Sequence, residues 1–201
     1  MTAGPPIVSP GNGWESANPA QFLSGHKYER PIASPLQSLQ GRSMNVEDYL
    51  IDREGKDWAE LISEWRSLLP KTFDIWLVNR FGDIFAVFED GSVHLLDVGR
   101  GIIERLADSR EHFIDRMDQD GNGEGWLLTR LVDECVAAGM KLKENQCYGF
   151  KIPPILGGDY EVENVEVTDL SVHYSLQGQI CRQVRDLPPG TKINGVINRN
   201  A

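Results

Sequence analysis

The sequence predicts a single α+β domain in which helices pack on an antiparallel β-sheet meander. Three short apolar runs occupy residues 74–80, 83–89 and 92–98, and turn residues separate them. Consecutive runs of this kind are typical of neighbouring antiparallel strands. The first two runs are apolar at nearly every position, so we expect helices to cover at least one face of the sheet. The chain of 201 residues is long enough for one domain of ordinary size.

The two ends of the chain differ in composition from its centre. Residues 1–43 are rich in Pro, Gly and Ser and show no sustained periodicity, which predicts a disordered tail. An alternative role for this tail is a partner-binding arm with Trp14 and Tyr28 as anchors. Residues 44–193 are then expected to form the single domain, and residues 194–201 a frayed C-terminus.

Helical spacing precedes the predicted strands, and a hairpin signal joins two of them. Apolar residues recur at intervals of three and four over residues 45–69, and Pro70 ends this predicted helix. Asp90 and Gly91 stand between the second and third strands. This dipeptide supplies the positive φ that a type I′ turn requires, so it predicts a tight hairpin.

Two helical segments follow the predicted sheet. Apolar residues between Ile102 and Met117 predict one helix or two short helices, the second of them capped by Ser109. Residues 126–140 predict a further helix, and Gly139 stands where its C-terminal cap is expected.

The C-terminal third contains an irregular stretch and an ambiguous one. Residues 147–159 combine two prolines with two glycines, so we expect a shaped, ordered loop and neither a helix nor a central strand. Residues 162–167 indicate a short extended piece. Residues 169–185 fit both the alternation of a strand and the spacing of a helix, and we favour a helix because the segment is long for a strand.

An incomplete calcium-loop pattern is the closest approach to a metal site. Asp118, Asp120, Asn122 and Gly123 match the first half of an EF-hand loop. Thr129 stands where the bidentate glutamate should be. We therefore expect a solvated polar loop, with no metal and no cofactor.

No combination of side chains in the sequence is typical of catalysis. The three cysteines, Cys135, Cys147 and Cys181, lie far apart, which predicts reduced thiols. The four histidines are dispersed, so nothing orients one of them on Cys147, although a hydrolase using that thiol is a remaining alternative. Gly157 and Gly158 lack the residues that complete a phosphate-binding loop. We expect no catalytic residues and no enzymatic activity.

The charge balance limits the class of partner. The chain has 30 acidic and 20 basic residues, for a net charge of -10, which argues against a nucleic-acid surface and suits a basic partner. No apolar run approaches the ~20 residues that cross a bilayer, and the N-terminus lacks the pattern of a secretion signal. We expect a cytoplasmic protein with neither a nucleic-acid nor a membrane partner.

Aromatic residues in the irregular stretch are candidate contacts for a protein partner. Tyr148, Phe150 and Tyr160 lie in or beside the stretch that the prolines and glycines make rigid. Aromatic side chains on a rigid loop are favoured interface anchors. The alternative is that the same rings fix the loop to the core.

Four strings, found in order along residues 73–193, resemble a known family. They are Phe81-Gly82-Asp83, EDGSVHLLDVG, CYGFKIPPILGGDYEVEN and SLQGQICRQVRDLPPGT. Together they resemble the C-terminal domain of bacterial type VI secretion immunity proteins that are paired with DNase effectors. This domain, formerly of unknown function, often follows a GAD-like domain and is similar to the SUKH-type immunity class. Its expected structural landmarks here are Cys147, Gly149, Pro153, Pro154, Gly157, Gly158, Asn164 and Gln179.

The resemblance implies a non-catalytic cytosolic inhibitor that binds a cognate secreted toxin. A DNase toxin must present positive charge to DNA, so an acidic immunity protein can match that surface. The candidate acidic contacts are Asp159, Glu161, Glu163 and Glu166, with Asp169 beside them. The acids of residues 115–124 are a second candidate surface, and a solvated polar face is the alternative for both. The alternative function is a general cytosolic module that binds a protein or a ligand.

Overall fold

The computed structural model describes residues 45–188, 190–193 and 195 of the chain. The predicted disordered tail of residues 1–43 and most of the predicted frayed C-terminus lie outside these residues. The described part contains a four-stranded sheet and a two-stranded sheet, with helices between and after them. None of the described helices is long and apolar enough to cross a membrane.

Strands and helices of the described part are named in chain order. The strands are β1 (Phe73–Val78), β2 (Ile84–Phe88), β3 (Val93–Asp97), β4 (Ile102–Ala107), β5 (Gln146–Phe150) and β6 (Val165–Asp169). The helices are α1 (Trp58–Leu61), α2 (Arg110–Met117), α3 (Asn122–Leu127), α4 (Thr129–Ala137) and α5 (Leu170–Val184). Strands β1 to β4 pair in sequence order and antiparallel. The predicted α+β class and antiparallel meander are confirmed.

The segment before the sheet differs from the prediction, because its residues do not form the one continuous helix that their spacing predicts. Helical turns form at Val46–Tyr49, in α1 and at Ser63–Trp65, and extended or bent chain separates them. The N–H of Ile51 donates to the carbonyl of Val78 at 2.9 Å, so the chain here runs alongside β1. This main-chain pairing replaces the helical bonds, and the interrupted helix is a correction to the prediction.

The turn between β2 and β3 differs in type from the prediction. The N–H of Gly91 donates to the carbonyl of Phe88 at 2.9 Å, and the N–H of Phe88 to the carbonyl of Ser92 at 2.9 Å. Gly91 has a φ of +83°, whereas Asp90 has no positive φ. The connection is therefore a three-residue loop that ends in a left-handed glycine, instead of a type I′ turn. The Asp90 carboxylate accepts the Ser92 N–H at 3.0 Å, which fixes the loop.

Strand β4 corrects the helix predicted from Ile102 onward. Ile103 lies opposite Leu96 of β3, and Gly101, at a φ of +67°, turns the chain into the new strand. Helical spacing over so short an apolar segment is ambiguous, and β-branched isoleucines suit a strand. The helix begins only after Ser109, whose hydroxyl accepts the N–H of His112 at 3.2 Å, so the predicted cap is confirmed.

The helix predicted over residues 126–140 starts earlier and contains a break. Helix α3 begins at Asn122, and buried Leu128 stands between α3 and α4 with a φ of +53° and a ψ of 41°. This left-handed conformation costs a non-glycine residue roughly 1–2 kcal/mol. It allows Leu127 and Leu128 to pack into two different apolar clusters. Gly139, with a φ of +84°, follows α4 as predicted.

Strand β5 corrects the first part of the loop predicted over residues 147–159. It pairs antiparallel with β6, because the prolines and the paired glycines come only after Phe150. A Cβ on Gly149 would lie 2.9 Å from Cγ2 of Thr168, so the glycine permits this close approach. The helical alternative for residues 169–185 is confirmed by α5.

The turn between β1 and β2 joins the two sheets and α5. Phe81 in this turn stacks on Phe150 of β5, with 5.2 Å between ring centroids. The hydroxyl of Tyr174 in α5 donates to the carbonyl of Gly82 at 2.8 Å. Three apolar clusters fill the space between the elements: Val78 and Ile84, on either side of the turn, belong to one, Phe81 within the turn to the second and Phe85 of β2 to the third. The turn is therefore the point at which the domain is held together.

A buried polar network fixes the same turn. Nδ2 of Asn79 donates to Asp83 Oδ2 and to the carbonyl of Trp126, both at 3.0 Å. Its Oδ1 accepts the N–H groups of Phe81 at 3.0 Å and Asp83 at 2.9 Å. Asp83 Oδ1 also accepts the N–H of Val98 at 2.8 Å, at the end of β3. Because these groups are buried, each bond also avoids the cost of an unpaired polar atom.

Candidate partner-binding surface

The loop between β5 and β6, residues 151–164, is closed by the side chain of Asn164. Its Oδ1 accepts the N–H of Ile152 at 2.9 Å, and its Nδ2 donates to the carbonyls of Ile152 at 2.9 Å and Asp159 at 2.8 Å. The main-chain carbonyl of Asn164 accepts the N–H of Lys151 at 2.8 Å. One residue therefore ties the start, the middle and the end of the loop together.

The prolines and glycines of this loop set its path. Pro154 begins a single 3-10 turn, which Gly157 leaves with a φ of +92°. The N–H of Gly158 then donates to the carbonyl of Pro153 at 3.1 Å. A Cβ on Gly158 would lie 1.7 Å from the carbonyl oxygen of Ile152, which no side chain can tolerate. Glycine at this position is thus a steric requirement of the closed loop.

The acidic residues of the predicted contact surface lie on or beside this closed loop. Asp159, Glu161, Glu163 and Glu166 are all exposed. None of these four carboxylates forms an ion pair with another residue of the described chain. Lys151 is the basic residue within the loop, and its Nζ donates to the carbonyl of Glu163 at 2.6 Å. The surface therefore carries negative charge that no side chain in the described part of the chain neutralises through an ion pair.

The predicted aromatic contacts divide into buried and partly exposed rings. Tyr148 is 0% and Phe150 7% exposed, so both rings belong to the core and neither lies on the surface. Tyr160 is half-buried and packs edge-on against Phe150, at 5.1 Å between centroids. Tyr148 and Phe150 therefore fit the alternative, in which the aromatic rings fix the loop to the core. Their predicted role as exposed anchors does not fit this structure.

The remaining motif residues lie in the core beside the loop. Cys147 and Gly149 are buried in β5. Gln179 is buried in α5, where its Nε2 donates to Oγ of Ser175 at 3.1 Å. These residues position β5 and α5 under the loop, and they are not exposed to a partner.

The chemistry of Cys147 does not suit nucleophilic catalysis. The thiol is fully buried, and burial raises its pKa well above the usual range, with Asp83 and Asp169 adding to the effect. The protonated thiol is a poor nucleophile at neutral pH. The hydrolase alternative that rests on Cys147 has no support in this geometry.

The calcium-like loop of the sequence is used for helix capping. Asn122 begins α3, and its Nδ2 donates to the carbonyl of Arg116 at the end of α2, at 2.9 Å. Asp118 and Asp120 are exposed. Among the described residues, no three His, Cys, Asp or Glu side chains are grouped so that they could hold a metal ion.

Sequence reasoning missed two features that shape this surface. The first is the buried Asn79 and Asp83 network, whose only signal is an Asn two residues before a Phe-Gly turn. The second is Ile152, an apolar residue that is 55% exposed within the closed loop. Hydrophobic periodicity assigns such a residue to the core, so a pattern search does not identify it.

Comparison with known proteins identifies a family that part of the chain resembles. Residues 107–181 match the family described as T6SS immunity protein Tdi1, C-terminal. No curated protein matches the chain. The matched segment runs from the end of β4 into α5 and includes the whole of the loop that Asn164 closes. Residues 107–181 are therefore similar to the C-terminal domain of a type VI secretion immunity protein, and the resemblance predicted from the sequence is confirmed over this segment.

Proposed function

We propose that this protein is a non-catalytic immunity protein that binds a cognate secreted effector and neutralises it. The proposal rests on the exposed acidic surface within the family-matched segment, formed by Asp159, Glu161, Glu163 and Glu166, whose carboxylates make no ion pair among the described residues. A toxin that acts on DNA needs a basic surface. We propose a DNase effector as the partner because its surface would be complementary to these carboxylates.

The mechanism needs binding alone. The loop of residues 151–164 is already closed by Asn164, so little conformational entropy is lost when a partner binds it. Like charges keep DNA away from an acidic surface, and the bound protein would cover the basic groove that DNA must enter. Inhibition is then stoichiometric, with one immunity protein for each effector molecule.

Three further expectations belong to this proposal. A protein that protects its own cell from a DNase would act in the cytoplasm. Its partners would include neither nucleic acid nor membrane, because its net charge of -10 repels both phosphate backbones and anionic lipids. The domain boundaries 44–193 also remain a prediction.

The test is co-expression with the effector encoded beside this gene. We expect the wild-type chain to restore growth and to co-purify with the effector. Reversing charge with Glu161→Lys and Glu163→Lys should weaken both results, since both side chains are exposed and neither forms an ion pair with residues 45–188, 190–193 or 195. The matched control reverses Glu47 and Asp48, which are exposed and lie outside both candidate acidic surfaces and outside the family-matched segment. Absence of both rescue and binding for the wild type would contradict the proposal.

A ligand-binding module is the second candidate, and a separate groove favours it. The groove has a volume of about 520 Å³ and an apolar lining that includes Trp58, Ile62 and Phe73, with Arg66 and Lys71 among its polar residues. This volume is within the range of small-molecule sites. Binding of a small apolar anion, detected by quenching of tryptophan fluorescence and weakened by Lys71→Glu at the exposed edge of the groove, would support this candidate; no quenching would remove it.

A further inference from the structure

We infer that Ile152 is the apolar anchor of the effector interface and inserts into a pocket rimmed by basic residues on the partner. The inference rests on the proposed function and adds a specific contact to it. Ile152 lies two residues after the end of β5, with Lys151 between them, and is 55% exposed. It lies within the family-matched residues, on the same loop as the acidic contacts.

The backbone of Ile152 is fixed on every side. Its N–H and its carbonyl are both bonded to the side-chain amide of Asn164, at 2.9 Å each. Pro153 follows it, and the α-carbon of Gly158 is packed against its carbonyl. The side chain is nevertheless left outside the core. The backbone of Ile152 therefore stabilises the closed loop, whereas its exposed side chain contributes little to the stability of the fold.

The surroundings of this side chain indicate the chemistry of its partner. Nδ2 of Asn164 donates to the main-chain carbonyls of both Ile152 and Asp159, so these two residues lie close together. Nζ of Lys151 donates to the main-chain carbonyl of Glu163. Exposed carboxylates at Asp159 and Glu163 thus belong to the same small loop. An apolar side chain on a loop that carries exposed carboxylates complements an apolar pocket with a lysine or arginine rim.

A rigid anchor gives such an interface a long lifetime. A side chain on a preorganised backbone loses little entropy on binding, and its burial adds affinity in proportion to the apolar area removed from water. Charge pairs at the rim mainly raise the association rate. Ile152→Ala should therefore act on the dissociation rate, whereas charge reversal of Glu161 and Glu163 should act on the association rate.

The experiment measures binding of the purified adjacent effector to the wild-type chain, to Ile152→Ala and to Ile114→Ala by surface plasmon resonance. Ile114 is the matched control, because it is an isoleucine of the same domain with 60% exposure on α2. We expect Ile152→Ala to raise Kd by about 10-fold, mainly through faster dissociation, from the area that a half-exposed isoleucine would bury. Ile114→Ala should stay within about 2-fold of the wild type, since its mutation removes no interface contact.

Each outcome decides between explanations. A dissociation rate of Ile152→Ala equal to that of the wild type would overturn the anchor, and so would an equal loss of affinity in Ile114→Ala. In both cases binding of the wild type still supports the proposed function. A wild type that fails to bind the effector removes both. Sedimentation of the wild-type chain alone tests whether a second copy of the chain binds Ile152 instead of the effector. A dimer that Ile152→Ala dissociates would place this residue between two copies and overturn the inference. Equal unfolding midpoints for the three proteins confirm that Ala at either position leaves the fold intact.

Discussion

Replacing Gly158 by alanine tests the closure of the loop directly. The new Cβ would lie 1.7 Å from the carbonyl oxygen and 2.6 Å from the carbonyl carbon of Ile152, and 2.9 Å from Nδ2 of Asn164. Ordinary contact for such atoms requires about 3.5 Å, so the two sides of the loop must separate by more than an ångström. The separation breaks both hydrogen bonds between Asn164 and Ile152.

The magnitude follows from those contacts. Two hydrogen bonds contribute about 1 kcal/mol each, and the displaced backbone adds roughly 1–2 kcal/mol of strain. We expect Gly158→Ala to reduce the free energy of unfolding by about 3–4 kcal/mol, which lowers Tm by roughly 6–16 °C in a domain of this size. Thermal unfolding followed by circular dichroism and urea denaturation both measure this loss.

Gly125→Ala is the matched control for this experiment. A Cβ on Gly125 meets no atom within 4 Å, and the residue lies inside α3, where alanine favours the helix by about 1 kcal/mol. A Gly158→Ala variant as stable as the wild type would refute the steric argument. A Gly157→Ala, Gly158→Ala double variant that is well folded and selectively loses its partner would show that these glycines act on binding before folding.

Three further predictions concern the core. Asn79→Ala removes a buried side chain with four hydrogen bonds and should cost about 3–5 kcal/mol in urea unfolding, whereas a loss below about 1 kcal/mol would contradict its structural role. Burial lowers the pKa of His173 from 6.5 to about 4, so the unfolded chain binds the proton first as the pH falls. Stability should drop by roughly 3 kcal/mol between pH 6.5 and pH 4, and His173→Phe should lack this part of the pH dependence. Burial raises the pKa of the Cys135 thiol to about 11, and all three cysteines are buried, so an aromatic disulfide reagent should react only after unfolding; rapid reaction of the native protein would contradict the packing.

The sequence predicts the parts of this fold whose periodicity is long or whose turn chemistry is specific. The first three strands are separated by Gly82 and Gly91, and α5 is long enough for helical spacing to exceed strand length. Ile102–Ala107 was assigned to a helix because a short apolar segment satisfies both periods. Only its pairing with β3, a tertiary contact, decides for the strand.

Two local conformations depend on contacts that a sequence pattern does not contain. Leu128 adopts the left-handed conformation at the break between α3 and α4, because it packs into one apolar cluster while its neighbour Leu127 packs into another. The bond from Asn79 to the Trp126 carbonyl, beside that break, joins residues far apart in sequence. Such positions are identified only when the core is assembled.

Burial differs between the two kinds of residue that the sequence offers as partner contacts. The acidic candidates are exposed, whereas Tyr148 and Phe150, for which the sequence also allows a role in fixing the loop to the core, are buried. Aromatic residues serve both cores and interfaces, so residue type alone does not separate the two. Asn164 was recognised as a landmark, and the structure gives its physical role, which is the closure of the loop.

Titration of the adjacent effector with the wild-type chain, at low and at physiological salt, tests the central claim most directly. We predict a 1:1 complex whose Kd rises with ionic strength, because the exposed acidic surface contributes by electrostatic attraction. The Glu161→Lys, Glu163→Lys variant should bind more weakly and lose most of the salt dependence. The absence of a complex would contradict the account, and so would a complex that responds neither to salt nor to the charge reversal.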